Sequence, residues 1–391
     1  MKIVERIENL RKVMQEKNID AYIVPTADFH QSEYVGEYFK SRKFITGFSG
    51  SAGTAIITKT EGRLWVDGRY FIQAAKQLEG TTVELMKMGE PGVLTIEQYL
   101  KETLKSGETL GFDGRVVSVG EGQEYEKIAK ANHAKVNYNE DLISEIWNDR
   151  PELSKEPAFA LDIKYTGEST SDKLKRIREE MDKAGASIHV LTTLDDICWT
   201  LNIRGNDIEF FPLVLAYAII TKNTVELYID ESKLDDEMKS NLAKDSVVLH
   251  PYNDVYEDAR KIGENEVVLL DPSKVNYALY NNIPSNVLKV EQRNPEILFK
   301  AIKNPVEIEN IKKAQIKDSV AHVRFMKWLK ENVGKTTITE ISASEKLDEL
   351  RGEMGNFIRP SFEPISSFGE HGAIVHYVST PETDVELKEG S

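Results

Sequence analysis

The feature that most constrains the fold of this 391-residue chain is an internal repeat. The segment RIENLRKVMQEKNIDAYIVPTADF, which starts at Arg6, returns as KLKRIREEMDKAGASIHVLTTLDD from Lys173. Similarly, AIITKTEGRLWVD (55–67) aligns without a gap with AIITKNTVELYID (218–230). In each copy the apolar spacing predicts a helix, a buried strand and then a strand-turn-strand hairpin. Self-similarity on this scale predicts two copies of one α/β unit.

A third unit follows the repeats. The polar, proline-containing segment RPELSKEP (150–157) predicts a linker, and Asn304 before Pro305 predicts a helix N-cap. The long helix that begins there is expected to be amphipathic, with apolar positions at Ile308, Ile311, Val320, Val323 and Met326. Thr337 to Glu340 is interpreted as a capping box, and GAIVHYV (372–378) as extended chain. The fold class is therefore α/β, with domains expected at 1–155, 156–292 and 293–391.

Composition excludes several classes of protein. The formal net charge of −15 opposes a phosphate backbone, so we expect no nucleic-acid partner. Cys198 is the one cysteine, which excludes a disulfide framework or a cysteine-based zinc site within the chain and is expected to be an inert core residue. The N-terminal MKIVERIENLRKVM has no apolar signal region, and no apolar run approaches the ~20 residues of a membrane helix. We expect a cytoplasmic protein without membrane contact.

Two loops of the repeats contain arginines that could serve a ligand or a neighbour. WVDGRYF (65–71) predicts a strand that ends in an Asp-Gly turn presenting Arg69, and the second repeat has no arginine after Asp230. Arg69 is either paired with a neighbouring carboxylate or aimed at a ligand carboxylate or carbonyl. In NIRGNDIEFFPL (202–213), Arg204 and Asp207 are expected to pair with each other.

A glycine-rich loop and a pair of histidines are weaker candidates. GFSGSAGT (47–54) leads into a strand and lacks a lysine, so it predicts tight backbone packing rather than a phosphate site. His371 and His376 in GEHGAIVHY are five residues apart and would point to opposite faces of a strand. No HExxH motif is present. Spacing alone leaves His376 as a core residue or a site residue and assigns no metal ligand.

At these segments the sequence resembles the three-domain aminopeptidase P (Xaa-Pro aminopeptidase) enzymes of the pita-bread metallopeptidase superfamily. The resemblance covers essentially the whole chain and rests on these segments: YIVPTADFHQSEY, RKFITGFSGSAGTAII, WVDGRYFIQAAKQL, LISEIWNDRP, WTLNIRGNDIEFFP and ISSFGEHGAIVHY. It implies two duplicated creatinase-type N-terminal α/β domains, followed by the first part of a pita-bread catalytic domain.

The resemblance also implies a chemistry. These enzymes remove an N-terminal residue that precedes proline, and two divalent metals, commonly Mn²⁺, activate a shared water. His376 matches the histidine that binds substrate and supports the tetrahedral intermediate, and Arg69 matches an arginine that reaches toward the peptide. His371 matches a loop position without a catalytic role. The implied partners are peptides with proline in second position, and a second copy of the chain in a homodimer.

One departure from the family shapes the expectation for this chain. The family's metal-binding Asp, His and Glu residues follow the GAIVHY segment, whereas this sequence ends at VELKEGS. We therefore expect the chain alone to be inactive and to bind neither metal. Two alternatives stay open: a non-catalytic scaffold built from creatinase-type domains, and a dipeptidase of the prolidase type.

Overall fold

The structure, a computed structural model, describes residues 2–390. Its contacts divide the chain into two compact units. The first comprises the residues up to Ile163 together with Glu168–Ile302, and the second comprises Lys164–Gly167 together with the residues from Lys303 onward. Each unit is described by itself.

The strands all lie in the first unit. In chain order they are β1 (Ala21–Pro25), β2 (Thr54–Thr58), β3 (Gly62–Val66), β4 (Glu84–Lys87), β5 (Thr109–Phe112), β6 (Lys135–Asn137), β7 (Phe159–Ala160), β8 (Ile188–Leu191), β9 (Ile203–Arg204), β10 (Ala216–Thr221), β11 (Val225–Ile229), β12 (Val247–His250), β13 (Val267–Leu270) and β14 (Leu288–Glu291).

These strands form two six-stranded sheets of the same topology. The first has the order β4-β3-β2-β1-β5-β6, and the second has the order β12-β11-β10-β8-β13-β14. In each sheet one inner strand, β2 or β10, is antiparallel to both of its neighbours, and all the other pairings are parallel. β7 and β9 form a separate antiparallel pair.

Strand register confirms the duplication. Ala55 pairs with Leu64 in the first hairpin, and Ala218 pairs with Leu227 at the aligned position of the second. Both hairpins are almost fully buried, which matches their continuous apolar sequences. The predicted α/β fold with two duplicated N-terminal units is therefore confirmed.

The helices cover these sheets and build the second unit. In chain order they are α1 (Ile3–Glu16), α2 (Ser41–Thr46), α3 (Phe71–Gln77), α4 (Ile96–Thr103), α5 (Val119–Ala131), α6 (Leu142–Ile146), α7 (Ile163–Thr166), α8 (Thr170–Lys183), α9 (Leu194–Thr200), α10 (Asp236–Lys244), α11 (Val255–Ala259), α12 (Tyr277–Asn282), α13 (Pro295–Ala301), α14 (Pro305–Asn332) and α15 (Glu340–Glu353).

The leading helices of the two repeats are equivalent. α1 and α8 each contain 14 residues, and each buries three apolar side chains at helical spacing: Ile7, Leu10 and Met14 in α1, and Leu174, Ile177 and Met181 in α8. These side chains belong to the core beneath each sheet. Because i, i+3 and i+7 positions lie on one helix face, the periodicity alone locates both helices.

The two repeats are joined by hydrogen bonds as well as by the chain. Tyr277 N–H donates to the Val117 carbonyl at 2.8 Å, and the buried Asn276 amide donates to the Phe29 carbonyl at 2.9 Å. His30 is fully buried, and its Nε2 lies 2.6 Å from the Tyr252 hydroxyl. The repeats therefore form one compact unit.

The connection between the repeats is irregular, as the sequence predicts. Residues 151–158 have no helix or strand. The arginine before them is not a linker residue, however: Arg150 donates to Asp141 at 2.7 Å and lies 3.9 Å from the centre of the Tyr38 ring. Its side chain is 9% exposed, so it fixes the start of the connection to the first repeat.

In the second unit the long helix begins where predicted. The Asn304 side chain accepts the backbone N–H groups of Val306 and Glu307, with proline at the first helical position. With residues 2–390 present, the five apolar side chains predicted for the apolar face of α14 are 41–66% exposed.

Across residues 2–390, no helix combines the length and apolar character that a membrane span requires.

Candidate functional site

Arg69 follows β3 and is held by the aspartate two residues before it. Its Nε and Nη2 atoms each lie 2.8 Å from one oxygen of Asp67, and its backbone N–H also donates to Asp67 at 3.0 Å. This two-point contact fixes the plane of the guanidinium. The side chains are 46% and 37% exposed, so the pair faces solvent. The neighbour pairing foreseen for Arg69 is confirmed, whereas its contact with a ligand stays a prediction.

In the pair of Arg69 and Asp67, each group stabilises the charged form of the other. The hydrogen bonds from Arg69 lower the pKa of the Asp67 carboxyl, and the same bonds raise the pKa of the Arg69 guanidinium, with a smaller contribution from nearby Glu33. Both groups therefore stay charged across the physiological pH range.

The glycine-rich loop GFSGSAGT packs against Tyr70, the residue that lies beneath the Arg69 guanidinium. Tyr70 is buried beneath the guanidinium, whose carbon lies 5.2 Å from the ring centre, and its hydroxyl lies 2.7 Å from Ser51 Oγ. A Cβ at Gly50 would lie 2.3 Å from Phe48 and 2.7 Å from Tyr70, so only glycine fits. Buried Arg42 donates to the carbonyls of Phe48 and Gly50. The prediction of tight backbone packing in GFSGSAGT is confirmed.

The second repeat contains a buried ion pair near the equivalent turn. Lys233, which follows Asp230, lies 2.6 Å from Asp207, and their side chains are 2% and 0% exposed. The expectation that Asp207 pairs with Arg204 is therefore wrong. Arg204 instead donates to the carbonyl oxygens of Cys198 and Ile203 at 2.6 and 2.8 Å. The reason is that the lysine reaches the aspartate from the turn after β11.

His376 lies in the second unit, in a turn rather than in a strand. The turn is closed by the Tyr377 N–H donating to the Ile374 carbonyl at 3.2 Å, and His376 is half-buried. The preceding Gly369–Ala373 forms a 3₁₀ helix. The prediction of extended chain through 372–378 is therefore wrong. A strand needs a neighbour for its backbone groups, and no strand of the described residues pairs with this segment.

Glu340, for which the sequence predicted a different role, holds this segment. Glu340 does not occupy the N3 position of a capping box that starts at Thr337: the N-cap of α15 is Thr339, and Ser342 at N3 completes the box. The Glu340 side chain is instead 0% exposed and accepts hydrogen bonds from Phe368 N–H at 2.5 Å and from the Tyr377 hydroxyl at 2.8 Å. Sequence alone does not predict this role of Glu340. A glutamate at a helix start and a Phe-Gly pair 28 residues later are only a weak signal of such a contact.

His371 belongs to the same group of contacts. Its Nδ1 lies 3.0 and 3.1 Å from the two Glu340 oxygens, and its ring stacks on Tyr377 with 4.3 Å between centres. These contacts hold the His371 ring against Glu340 and Tyr377.

Arg69 lies in the first compact unit and His376 in the second, and the contacts given for each residue are those within its own unit. Among residues 2–390, no group of three or more His, Cys, Asp or Glu side chains is arranged to hold a metal ion. The described residues therefore do not fit a dinuclear metal centre.

Comparison with known proteins identifies families along the chain. Residues 6–143 and residues 149–307 each match the creatinase/prolidase N-terminal domain, and residues 309–391 match metallopeptidase family M24. Xaa-Pro aminopeptidase 1 of Dictyostelium discoideum is 38% identical, with 99% of this chain and 64% of that protein covered. Aminopeptidase P2 of Arabidopsis thaliana is 35% identical, with 97% and 58% covered.

A solved structure matches over nearly the whole chain. The X-prolyl aminopeptidase of Caenorhabditis elegans, described as a cytosolic enzyme with a di-nuclear active site, superimposes with a TM-score of 0.92 at 33% identity, covering 99% of this chain and 66% of that one. The chain thus spans about three fifths to two thirds of the length of these relatives. It contains two creatinase/prolidase-type N-terminal domains and an M24 metallopeptidase segment, and over nearly its whole length it is similar to Xaa-Pro aminopeptidases.

Proposed function

We propose that the whole protein is an Xaa-Pro aminopeptidase, which hydrolyses the peptide bond between an N-terminal residue and a following proline. The observation that carries this proposal is the match of the entire chain, in sequence and in fold, to enzymes with that name. Two divalent metal ions are proposed as cofactors, supported by the M24 match and by the di-nuclear centre of the nematode enzyme, and Mn²⁺ is proposed as the metal. Residues 2–390 include no such centre.

Arg69 is proposed to contact the peptide substrate. An X-Pro peptide bond has no N–H to donate, so recognition depends on its carbonyl oxygens and on the charges of the peptide. A guanidinium held in a fixed plane by Asp67 and Tyr70 presents donors suited to a carboxylate or carbonyl oxygen. Its exposure on the first repeat is compatible with such a contact.

His376 is proposed to bind substrate and to donate a hydrogen bond to the carbonyl oxygen at which negative charge develops. A donor in that position contributes more in the transition state than in the ground state, because the charge on the oxygen grows. A half-buried imidazole in a turn fixed on both sides suits this role.

The test uses the protein expressed from its complete reading frame, with Mn²⁺ added. We expect cleavage of Ala-Pro-Ala and no cleavage of Ala-Ala-Ala. His376→Ala should lower kcat by about 10²–10³-fold, the cost typical of a lost oxyanion donor. Arg69→Ala should raise KM, while Arg260→Ala, which removes another exposed, ion-paired arginine, should leave both constants unchanged.

The same assay separates the alternatives. Cleavage of the dipeptide Ala-Pro without cleavage of Ala-Pro-Ala would favour the prolidase-type dipeptidase. A protein that binds X-Pro peptides but hydrolyses none in any divalent metal would favour the non-catalytic scaffold. Activity that survives in His376→Ala would remove that residue from the proposed site.

We propose further that the protein forms a homodimer in the cytoplasm and that its domains span 1–155, 156–292 and 293–391. The description of the nematode enzyme as cytosolic supports the location, and the two equivalent sheets support the division of the first two domains. Light scattering that gives the monomer mass at high concentration would refute the dimer. Cell fractionation tests the location, and separate expression of 156–292 tests the second domain.

A further inference from the structure

One buried carboxylate, Glu340, has polar contacts with four residues of the segment that contains His376. Glu340 is the first residue of α15, and four groups of the later segment surround it. Oε1 accepts the Phe368 N–H and lies 3.0 Å from His371 Nδ1, whereas Oε2 accepts the Tyr377 hydroxyl at 2.8 Å and lies 3.3 Å from the Ser379 hydroxyl, which also reaches the Ser366 carbonyl at 2.9 Å. We name Glu340, Phe368, His371, Tyr377 and Ser379 the Glu340 cluster.

The cluster satisfies a charge that burial alone would destabilise. A carboxylate with 0% exposure is costly unless donors surround it, and here the donors come from residues 28 to 39 positions later in the chain. Burial by itself would raise the pKa of Glu340, but the hydrogen bonds from His371, Tyr377 and the Phe368 N–H outweigh it and lower that pKa. The carboxylate therefore stays ionised at neutral pH and keeps all its oxygens as acceptors.

The cluster also determines where His376 lies. Tyr377, the next residue, is 5% exposed and anchored through its hydroxyl, and its backbone N–H closes the turn onto Ile374. Ser379 is tied to Glu340 on the C-terminal side, and Phe368 and His371 are tied to it on the N-terminal side. His376 thus lies in a short turn whose two flanks attach to one carboxylate.

We propose that Glu340 is a positioning residue for His376: it holds the turn that presents this imidazole to substrate. The proposal rests on the function proposed above only for what His376 does. It assigns a role to the first residue of α15, and it makes the ionised carboxylate, rather than mere burial, the requirement.

The test is Glu340→Gln in the 391-residue chain, with histidine rings labelled with ¹³C and followed by NMR. An amide of the same shape has one acceptor oxygen and one NH₂ group, so either the Phe368 and His371 donors or the two hydroxyls lose their acceptor. Glu345→Gln, at an exposed position of the same helix, is the matched control.

We expect the His376 and His371 ring signals to shift and broaden in Glu340→Gln. Amide exchange over 366–379 should accelerate about tenfold or more, the effect of losing a hydrogen bond to a buried charge. Glu340→Asp, which restores the charge, should recover part of the protection. His322, on α14, and every signal of Glu345→Gln should match the parent protein.

Unchanged His376 signals and unchanged exchange in a folded Glu340→Gln would overturn the proposal, and so would a change confined to His371. If Glu340→Gln fails to fold, Tyr377→Phe and Ser379→Ala remove the hydroxyl donors one at a time and give the same comparison. Addition of Ala-Pro-Ala to the protein expressed from its complete reading frame is a separate measurement: an unperturbed His376 then counts against the proposed substrate contact and leaves the positioning result intact.

Discussion

The buried pair of Lys233 and Asp207 provides a quantitative test of the structure through Lys233→Met. The pair spans 2.6 Å with side-chain exposures of 2% and 0%, and one Asp207 oxygen also accepts the Leu215 N–H at 2.7 Å. Among the described residues the other Asp207 oxygen has no hydrogen-bond partner. Methionine matches the length of the lysine stem but leaves the aspartate as an uncompensated buried charge.

The expected cost follows from the separation and the burial. At an effective dielectric constant of about 20, two unit charges this far apart attract by about 6 kcal/mol. Part of that attraction only offsets the desolvation of the ions, and breaking one partner of a buried pair typically costs about 3–5 kcal/mol. We expect Lys233→Met to lower the free energy of unfolding of the first unit by that amount.

Urea denaturation followed by tryptophan fluorescence measures this change. The control is Lys155→Met, because Lys155 and Glu152 are separated by a similar 2.7 Å but are 65% and 82% exposed, so no measurable change is expected. The double variant Lys233→Met with Asp207→Asn should recover part of the loss, because it removes the stranded charge.

Two results would refute this reasoning. A loss below about 1 kcal/mol in Lys233→Met would show that the pair is solvated like a surface pair. A double variant less stable than Lys233→Met alone would show that the stranded carboxylate is not the source of the cost. Either outcome would contradict the buried geometry.

Three further predictions concern the first unit. Burial lowers the pKa of His30 below 6.5, so the unfolded state binds more protons and acidification from pH 6.5 to 5 should lower Tm, with a smaller slope in His30→Gln. Gly50→Ala should cost about 1–3 kcal/mol through its collisions with two rings, whereas Gly263→Ala, with open space around the new methyl, should be near neutral in the same urea assay. Burial raises the pKa of Cys198 to about 11, so a thiol reagent at pH 8 should label it only in denaturant.

Each of these three predictions has an outcome that would contradict it. Equal pH slopes of Tm in the parent protein and His30→Gln would remove His30 as the titrating group. A stable Gly50→Ala would show that the loop relaxes away from Phe48 and Tyr70. Rapid labelling of Cys198 in native buffer would contradict its 1% exposure.

Much of the first unit was predictable because its signals are local. The repeated helix, strand and hairpin each bury side chains at their own period, so Met14 and Met181 or Ala55 and Ala218 identify equivalent positions before any contact is known. The exposure of Arg69 after β3 and the tight packing of Gly50 were also predicted, because turns and glycines act within a few residues.

The sequence-based predictions that are wrong concern contacts between residues that are distant in sequence. Thr337 to Glu340 has the pattern of a capping box, but the carboxylate has a more buried role with donors that come 28 or more residues later. GAIVHYV has the composition of a strand, yet it is held as a turn by that same carboxylate. Asp207 pairs with Lys233, 26 residues away, and not with nearby Arg204. Propensity cannot foresee such contacts, since tertiary structure overrides it.

Because hydrogen bonds join the two repeats directly, we expect them to stay associated without the covalent link between them. Tyr277 and Ala278 donate to the carbonyls of Val117 and Gly114 across the interface, while 151–158 adds no regular structure. A protease that nicks this connection should therefore leave two fragments that still comigrate on a native gel and part only in denaturant. Expressed as separate polypeptides, the halves should likewise reassociate by complementation, in the manner of two subunits.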